Sequence, residues 1–252
     1  EDSEFVNGDG YFDDDGILYI KHIYTDTQSL VKCPNSKLVK TYTVLDGTTF
    51  INHKAFQNKT SLKEVSIPDT VTSIGDYAFY SCTSLATINL AEGLTSIGDY
   101  TFSNCTSLTT INFAEGLTSI GYNAFSGCSA LKTLRLPDTL TTIYGYAFSN
   151  CTALSEVYLG KSTTTLEVAA FANCSKLTTI TLSDALTSVN WSSNYASYFS
   201  FYNAPISIVN VPSTVTYITD VFYNNISTIT QFICEDSEFV NGDGYFDDDG
   251  IL

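Results

Sequence analysis

The sequence predicts a solenoid, a mostly β chain wound into stacked 23-residue coils with one parallel sheet along a face. Three observations predict it. Phenylalanine recurs at Phe56, Phe79, Phe102, Phe125, Phe148 and Phe171, always at the same 23-residue step. Cysteine keeps that beat at Cys82, Cys105, Cys128, Cys151 and Cys174, and leucine at Leu62, Leu85, Leu108, Leu131, Leu154 and Leu177. Three positions held in step over five or six periods specify a repeat architecture, not a bias of composition.

Each element of the coil follows from its residues. In the run from Leu62 to Cys82, Val65 and Ile67 alternate with Glu64 and Ser66, the period of two expected of a short strand. Pro68-Asp69 then reads as a turn, because proline presets φ and aspartate favours turn positions. Val71 and Ile74 begin a second extended segment. Gly75, with Gly98 and Gly121 at the same place, is expected to permit a tight bend. Ala78-Phe79 and Cys82 bring the chain back to the interior. One coil carries too few apolar side chains to offset the ordering of its backbone, so the coils must cover one another. Strand pairs run from Tyr42/Val44 through Val65/Ile67 and Leu134/Leu136 to Phe232/Cys234, nine in all. At a spacing of about 4.8 Å they predict a single parallel sheet about 40 Å long. The step from Ile180 to Val209 is longer than the period, so one coil carries a six-residue insertion near 190–203. Phe199 or Phe201 is expected to fill its phenylalanine slot.

The runs SLKEVSIPDTVTSIGDYAFYSC and SLTTINFAEGLTSIGYNAFSGC resemble the BspA-like leucine-rich repeats, a class common in bacterial surface proteins and in some parasitic protists. The stretch YFDDDGILYIKHIYTDTQSLVKCPNSKLVKTYTV is similar to the hairpin module that this family places between repeat blocks. The resemblance covers nearly the whole chain. It implies a leucine-rich-repeat solenoid, a secreted or cell-surface location, and binding of other macromolecules, whether protein or glycan. It names no ligand and carries over no catalytic residue. The domain reading is an acidic inter-module junction at 1–18, a hairpin module at 19–40, the solenoid at 41–234, and at 235–252 a second copy of the junction that starts a next module.

Composition narrows the function further. Of 252 residues, 27 are acidic and 11 basic, a net charge of −16 that argues against nucleic acid as a partner. No apolar run reaches the roughly 18 residues that a spanning helix needs, so no membrane insertion is expected in this segment. The absence of methionine and of a signal peptide reads as a mature form or a fragment. Only His22 and His53 are available for acid–base work, and GxSxG, HExxH and GxxxxGK[ST] are all missing, so an enzyme is not expected. Seven cysteines without a CxxC pair give no support for zinc or redox chemistry. Stacked in a column, the periodic thiols present parallel Cβ vectors that do not suit a disulfide dihedral, so they read as buried free thiols. No cofactor is expected. The segment NGDGYFDDDG, at residues 7–16 and again at 241–250, lacks the ligand order of an EF-hand. It stands either as a calcium loop or as a solvated linker, and the turn acids Asp46, Asp69, Glu92, Glu115 and Asp138 pose the same choice.

Two features are candidate binding surfaces. The outward strand positions include Asn89, Asn112, Arg135 and Tyr158, and Arg135 beside Tyr158 is a pairing enriched at interface hot spots. The alternative is an ordinary polar face that keeps the solenoid soluble. The insertion holds Trp191, Tyr195, Tyr198 and Tyr202 among its aromatics and faces either a partner or the solenoid flank. The expected function is a surface-exposed structural or adhesion module working by protein–protein contact, with a receptor domain using the sheet face as the alternative. An ice-binding solenoid is a remote third reading, from the column that includes Thr72, Thr95, Thr118 and Thr141. A flat doubled array would be needed, and the neighbours Ser73, Ser96 and Ser119 fall on the opposite face of the strand.

The string EDSEFVNGDGYFDDDGIL fills residues 1–18 and recurs unchanged at 235–252, an offset of 234. The 23-residue coils themselves differ at most surface positions, so structural constraint alone does not preserve eighteen identities in a row. The expectation is one 234-residue period plus an overlap, drawn from a longer array. Its partners would be further copies joined head-to-tail into a filament or stalk, with the acidic junction beside basic residues between Lys21 and Lys40.

Overall fold

A computed structural model describes residues 8–22, 27–34, 38–186, 188–189, 200–212 and 228–234, and each coil within it visits two sheets. One face carries β4 (Thr41–Thr43), β6 (Glu64–Ser66), β8 (Thr87–Asn89), β10 (Thr110–Asn112), β12 (Thr133–Arg135), β14 (Glu156–Tyr158), β16 (Thr179–Thr181), β18 (Ile208–Val211) and β19 (Gln231–Cys234). These are the nine strands that the alternation of apolar and polar residues predicts. A second sheet of ten strands joins β1 (Gly8–Phe12), β2 (Leu18–His22), β3 (Gln28–Lys32) and β5 (Thr48–Ile51) to the short strands β7 (Ser73–Ile74), β9 (Ser96–Ile97), β11 (Ser119–Ile120), β13 (Thr142–Ile143), β15 (Thr165–Leu166) and β17 (Ser188–Val189). Pairing between coils is parallel and in register by whole periods, as in Ile111↔Ile88 and Ile120↔Ile97. At the N-terminal end β1, β2 and β3 are antiparallel, and β3 hands over to the solenoid by pairing parallel with β5. Residues 8–12 of the acidic segment thus supply the outermost strand of the hairpin. No helix among the described residues is long and apolar enough to cross a membrane.

Two expectations need correcting. The face is not one sheet, because β4–β6–β8–β10 form one unit and β12–β14–β16–β18–β19 another, with no pairing between β10 and β12 among the described residues. The repeat glycines do not supply an unusual φ. They allow close approach instead, since a Cβ on Gly75 would lie 2.6 Å from the His53 nitrogen and one on Gly98 2.5 Å from the Asp76 carboxylate.

The core is a set of columns. Phe56, Phe79, Phe102, Phe125, Phe148, Phe171 and Phe201 stack with ring centroids 5.1–5.4 Å apart and planes within 9° of parallel. Phe201, not Phe199, therefore takes the slot in the coil with the insertion. Beside this column each thiol donates to the carbonyl of the phenylalanine one coil earlier, from Cys82 to Phe56 at 3.1 Å through Cys174 to Phe148 at 3.2 Å. Cys33, Cys82, Cys105, Cys128, Cys151 and Cys174 are free and buried. Burial pushes the Cys82 and Cys128 thiols up to about 12. The turns between the sheets need left-handed backbone twice per coil. Tyr77, Tyr100 and Tyr146 occupy one such column and Asn58, Asn104, Asn150 and Asn173 the other, where asparagine tolerates positive φ best among non-glycine residues.

The columns lead to two expected outcomes. Phe125→Ala removes a ring stacked on both sides and should destabilise the fold by roughly 3–5 kcal/mol in urea unfolding, as for other buried phenylalanines. A loss near that of a surface change would show that the column is not what binds coil to coil. The second outcome concerns pH. A thiol whose folded pKa is raised stays protonated in the fold and ionises in the unfolded chain, so its stabilisation is whole below about pH 8.5 and is lost as pH rises toward the folded value. The urea midpoint should fall between about pH 8.5 and 11, and fall less steeply in a Cys82→Ala, Cys128→Ala variant. Equal slopes in the two proteins would refute the account.

Candidate functional site

The outward side chains of the nine strands lie one coil apart and meet their own counterparts. Asn112 donates its amide to the Asn89 carbonyl oxygen, and Asn210 donates to the Thr181 hydroxyl at 3.0 Å. The Arg135 guanidinium lies over the Tyr158 ring, 3.7 Å from its centroid. The Tyr158 hydroxyl donates to the Glu156 carboxylate, and that bond, followed by partial burial, holds the phenol above its ordinary range. The arginine is thus laid flat against the strand face with its charge presented outward, a cation–π arrangement worth about 0.5–1 kcal/mol at an exposed site.

Between the Asn89–Asn112 pair and the Arg135–Tyr158 pair the face opens. Leu90 donates its backbone N–H to Asn112, Leu136 to Tyr158, Leu159 to Thr181 and Leu182 to Asn210, all at 3.0 Å. Phe113 is their counterpart, and among the described residues no backbone hydrogen bond joins it to Arg135 across the gap between β10 and β12. Ile111 and Phe113 are half-buried, whereas Ile88, Leu90, Leu134 and Leu136 are buried. A groove of about 570 Å³ results, with Thr110, Asn112 and Phe113 on one wall and Lys132, Thr133 and Arg135 on the other. An aromatic ring stands at the gap, at position 113. Every neighbouring coil from Leu90 to Leu182 places leucine there, and the bulkier phenylalanine instead sets its ring edge-on to Phe125, 5.9 Å away at 76°. Misfit of one side chain in a stacked array is felt locally, because packed cores accept extra volume only at a cost.

The predicted site residues separate accordingly. Asn89, Asn112, Arg135 and Tyr158 lie on the exposed face, and the structure brings them together as two pairs flanking the groove. Tyr202 is half-buried, and its carbonyl accepts the Asn173 N–H at 2.7 Å. Trp191, Tyr195 and Tyr198 lie outside the described residues, as do residues 235–252. Phe113, Ile111 and Lys132 escaped the reading of the sequence. The available signal was a phenylalanine in a leucine column, which alternation alone treats as equivalent.

The other columns are engaged within the solenoid. The hydroxyls of Thr72, Thr118 and Thr141 donate to carbonyls of the preceding coil at 3.3, 2.9 and 3.0 Å. Asp76 accepts the Asp99 N–H and Asp99 the Tyr122 N–H, while His53 Nδ1 accepts the Asp76 N–H. The turn acids behave alike, Asp69 accepting from Glu92 and Asp138 from Lys161. Among the described residues no three histidine, cysteine, aspartate or glutamate side chains form a group able to hold a metal ion.

A family model described as the BspA type leucine rich repeat region matches residues 33–155 and 153–248, in six copies. Among solved structures, a leucine-rich repeat protein from Eubacterium ventriosum is 26% identical with a TM-score of 0.69, over 84% of this chain and 51% of that one. This chain therefore spans about half the length of that protein. The T. pallidum leucine rich repeat protein is also 26% identical, with a TM-score of 0.62 over 79% of this chain and 88% of its own. A leucine-rich repeat protein from Bacteroides ovatus, 21% identical with a TM-score of 0.58 over 94% of this chain and 79% of that one, shares the fold. No curated protein matches the chain.

Hydrogen exchange tests the groove directly. The Phe113 amide should exchange at least about tenfold faster than those of Leu90 and Leu136, since local protection follows backbone bonding. Phe113→Leu should slow it to match them. A Phe113 amide as protected as its counterparts would mean that the face is closed in solution.

Proposed function

The chain belongs to the BspA type leucine-rich repeat family, and from that premise we propose that it is a surface-exposed binding module acting by protein–protein contact. The carrying observation is the groove between β10 and β12, with the Arg135–Tyr158 stack beside it. Solenoid sheets serve as recognition surfaces because they present many side chains in rigid register. This one offers half-buried Ile111 and Phe113 for apolar contact, flanked by Lys132 and Arg135 for charge. A partner side chain that covers Phe113 gains hydrophobic energy that the chain itself leaves unrealised, and a tyrosine–arginine pair at the margin suits a hot spot. The reading is one of binding and not of catalysis. An extracellular or cell-surface location accompanies the family resemblance of the repeats.

A second element of the reading is structural. The unchanged recurrence of eighteen residues at an offset of 234 favours a tandem array, in which this module repeats along a filament or stalk and presents the same groove once per period.

The binding reading is tested on a panel of purified extracellular-matrix and cell-surface proteins by biolayer interferometry. A panel member that binds the chain should lose at least about tenfold in affinity to an Arg135→Ala, Tyr158→Ser variant, the effect of truncating a hot spot. Ser162→Ala, exposed in a turn outside the strand face, should leave both affinity and unfolding temperature unchanged. A panel without a binder, or a binder indifferent to the face variant, counts against the reading. The array element predicts a parent gene with more than one copy of the 234-residue unit, and a gene with a single copy would sink it.

A further inference from the structure

The N-terminal hairpin ends in an exposed acidic tip. Tyr11 of β1 stacks on the buried Tyr19 at 5.7 Å. Side chains alternate along a strand, so Phe12 falls on the other side, where it is 65% exposed. Asp14 and Asp15 follow it in the turn and are exposed as well. The turn is fixed from within, because the Asp13 carboxylate accepts the Ile17 N–H at 2.7 Å and Gly16 takes a left-handed φ of 71°. A phenyl ring and two carboxylates are thereby held at one corner of the molecule. The groove between β10 and β12 has the opposite complement. Ile111 and Phe113 are half-buried there. Of the charged groups that line it, Lys132 and Arg135 are basic and Glu115 alone is acidic. Lys132 and Arg135 are exposed, and among the described residues no carboxylate forms an ion pair with either.

We propose that the hairpin tip of one molecule docks in the groove of a second copy, with Phe12 against Ile111 and Phe113 and the Asp14 and Asp15 carboxylates against Lys132 and Arg135. The exposed ring leaves water for an apolar seat that the chain itself leaves half-filled, and two cations without a carboxylate gain one each. At about 570 Å³ the groove has room for a phenyl ring and the carboxylates beside it. Because the turn is already ordered, docking costs little further loss of freedom. A molecule cannot fill its own groove in this way. Asp13 ties the tip to Tyr42 of β4, and β10 lies three strand steps farther along the face, about 14 Å at ordinary strand spacing. Tip and groove are different surfaces, so the contact is heterologous and links molecules side by side. One hairpin tip buries less than the roughly 1,200 Å² of a stable complex, so the contact is weak between single molecules. Modules joined in one chain would strengthen it by making several such contacts at once. The inference rests on the reading of the groove as a protein-binding surface and names a second copy of the chain as its partner.

Sedimentation equilibrium of the whole chain, from micromolar to millimolar concentration, tests the contact. Salt at about 0.15 M shortens the Debye length to about 8 Å, which screens the net charge of −16 between molecules more than it screens a pair closed in the groove. The average mass should rise above that of the monomer at the upper end of the series. Phe12→Ser should weaken the association at least about tenfold, as truncation of a central anchor does. Two charge reversals then identify the surfaces. A groove variant, Lys132→Glu with Arg135→Glu, and a tip variant, Asp14→Lys with Asp15→Lys, should each stay monomeric alone. Mixed in equal amounts they should associate again, because the unaltered tip of the first meets the unaltered groove of the second. Circular dichroism should show each variant folded, and if the tip variant is not, Phe12→Ser takes its place in the mixture with the same expected result. A chain that stays monomeric to millimolar concentration, association that Phe12→Ser leaves intact, or a mixture that does not recover would each overturn the contact. A panel protein whose binding still depends on Arg135 and Tyr158 would then keep the groove as a protein-binding surface, so the two failures are distinguishable.

Discussion

Each residue of the solenoid is packed on its own counterpart one coil away, and this self-matching is the constraint on which the rest of the structure depends. A phenylalanine ring stacks on a phenylalanine ring at 5.1–5.4 Å because the backbone repeat is close to the spacing of offset-stacked rings. The same rule selects the other columns. A thiol is small enough to stack and donates to a carbonyl one coil back. A threonine hydroxyl does the same at the surface. Glycine stands where the preceding coil comes within a Cβ radius. Any residue that fits its own copy is acceptable, so the repeat propagates. A residue that differs from its neighbours is tested on both sides at once.

At Phe113 the match fails. Its half-buried ring stands edge-on to Phe125, and the backbone ladder on that face is interrupted between β10 and β12. The second sheet stays whole, since β11 pairs with both β9 and β13. The coils therefore stay stacked on one side while they part on the other. This confines the opening to a groove and keeps the solenoid continuous. The apolar side chains exposed there are the ones that the repeat buries elsewhere, which is why the opening is a chemically distinct place on an otherwise polar face.

The N-terminal hairpin solves the opposite problem, the unmatched end of the phenylalanine column. Tyr42 tilts by 48° against Phe56, and its hydroxyl turns to Tyr19 and to the Asp13 carboxylate. An apolar stack is thereby converted into a hydrogen-bonded network at the first coil. Asp13 belongs to the duplicated segment, so the acidic string is part of the structure that closes the column and not only a solvated spacer.

The periodicity of phenylalanine, cysteine and leucine alone determined the period, the nine face strands, the inward columns and the fate of the thiols. It did so because each coil repeats one local pattern, and local pattern is what sequence displays. Asn89, Asn112, Arg135 and Tyr158 were legible as outward positions for the same reason. The tertiary structure alone decided that the face divides, that Ile111 and Phe113 are half-open, and that the repeat glycines serve close approach and not an unusual φ. Those outcomes depend on how one coil's volume meets the next across space. Leucine and phenylalanine look alike to a pattern of apolar alternation, and only packing distinguishes a ring that fits its slot from one that does not.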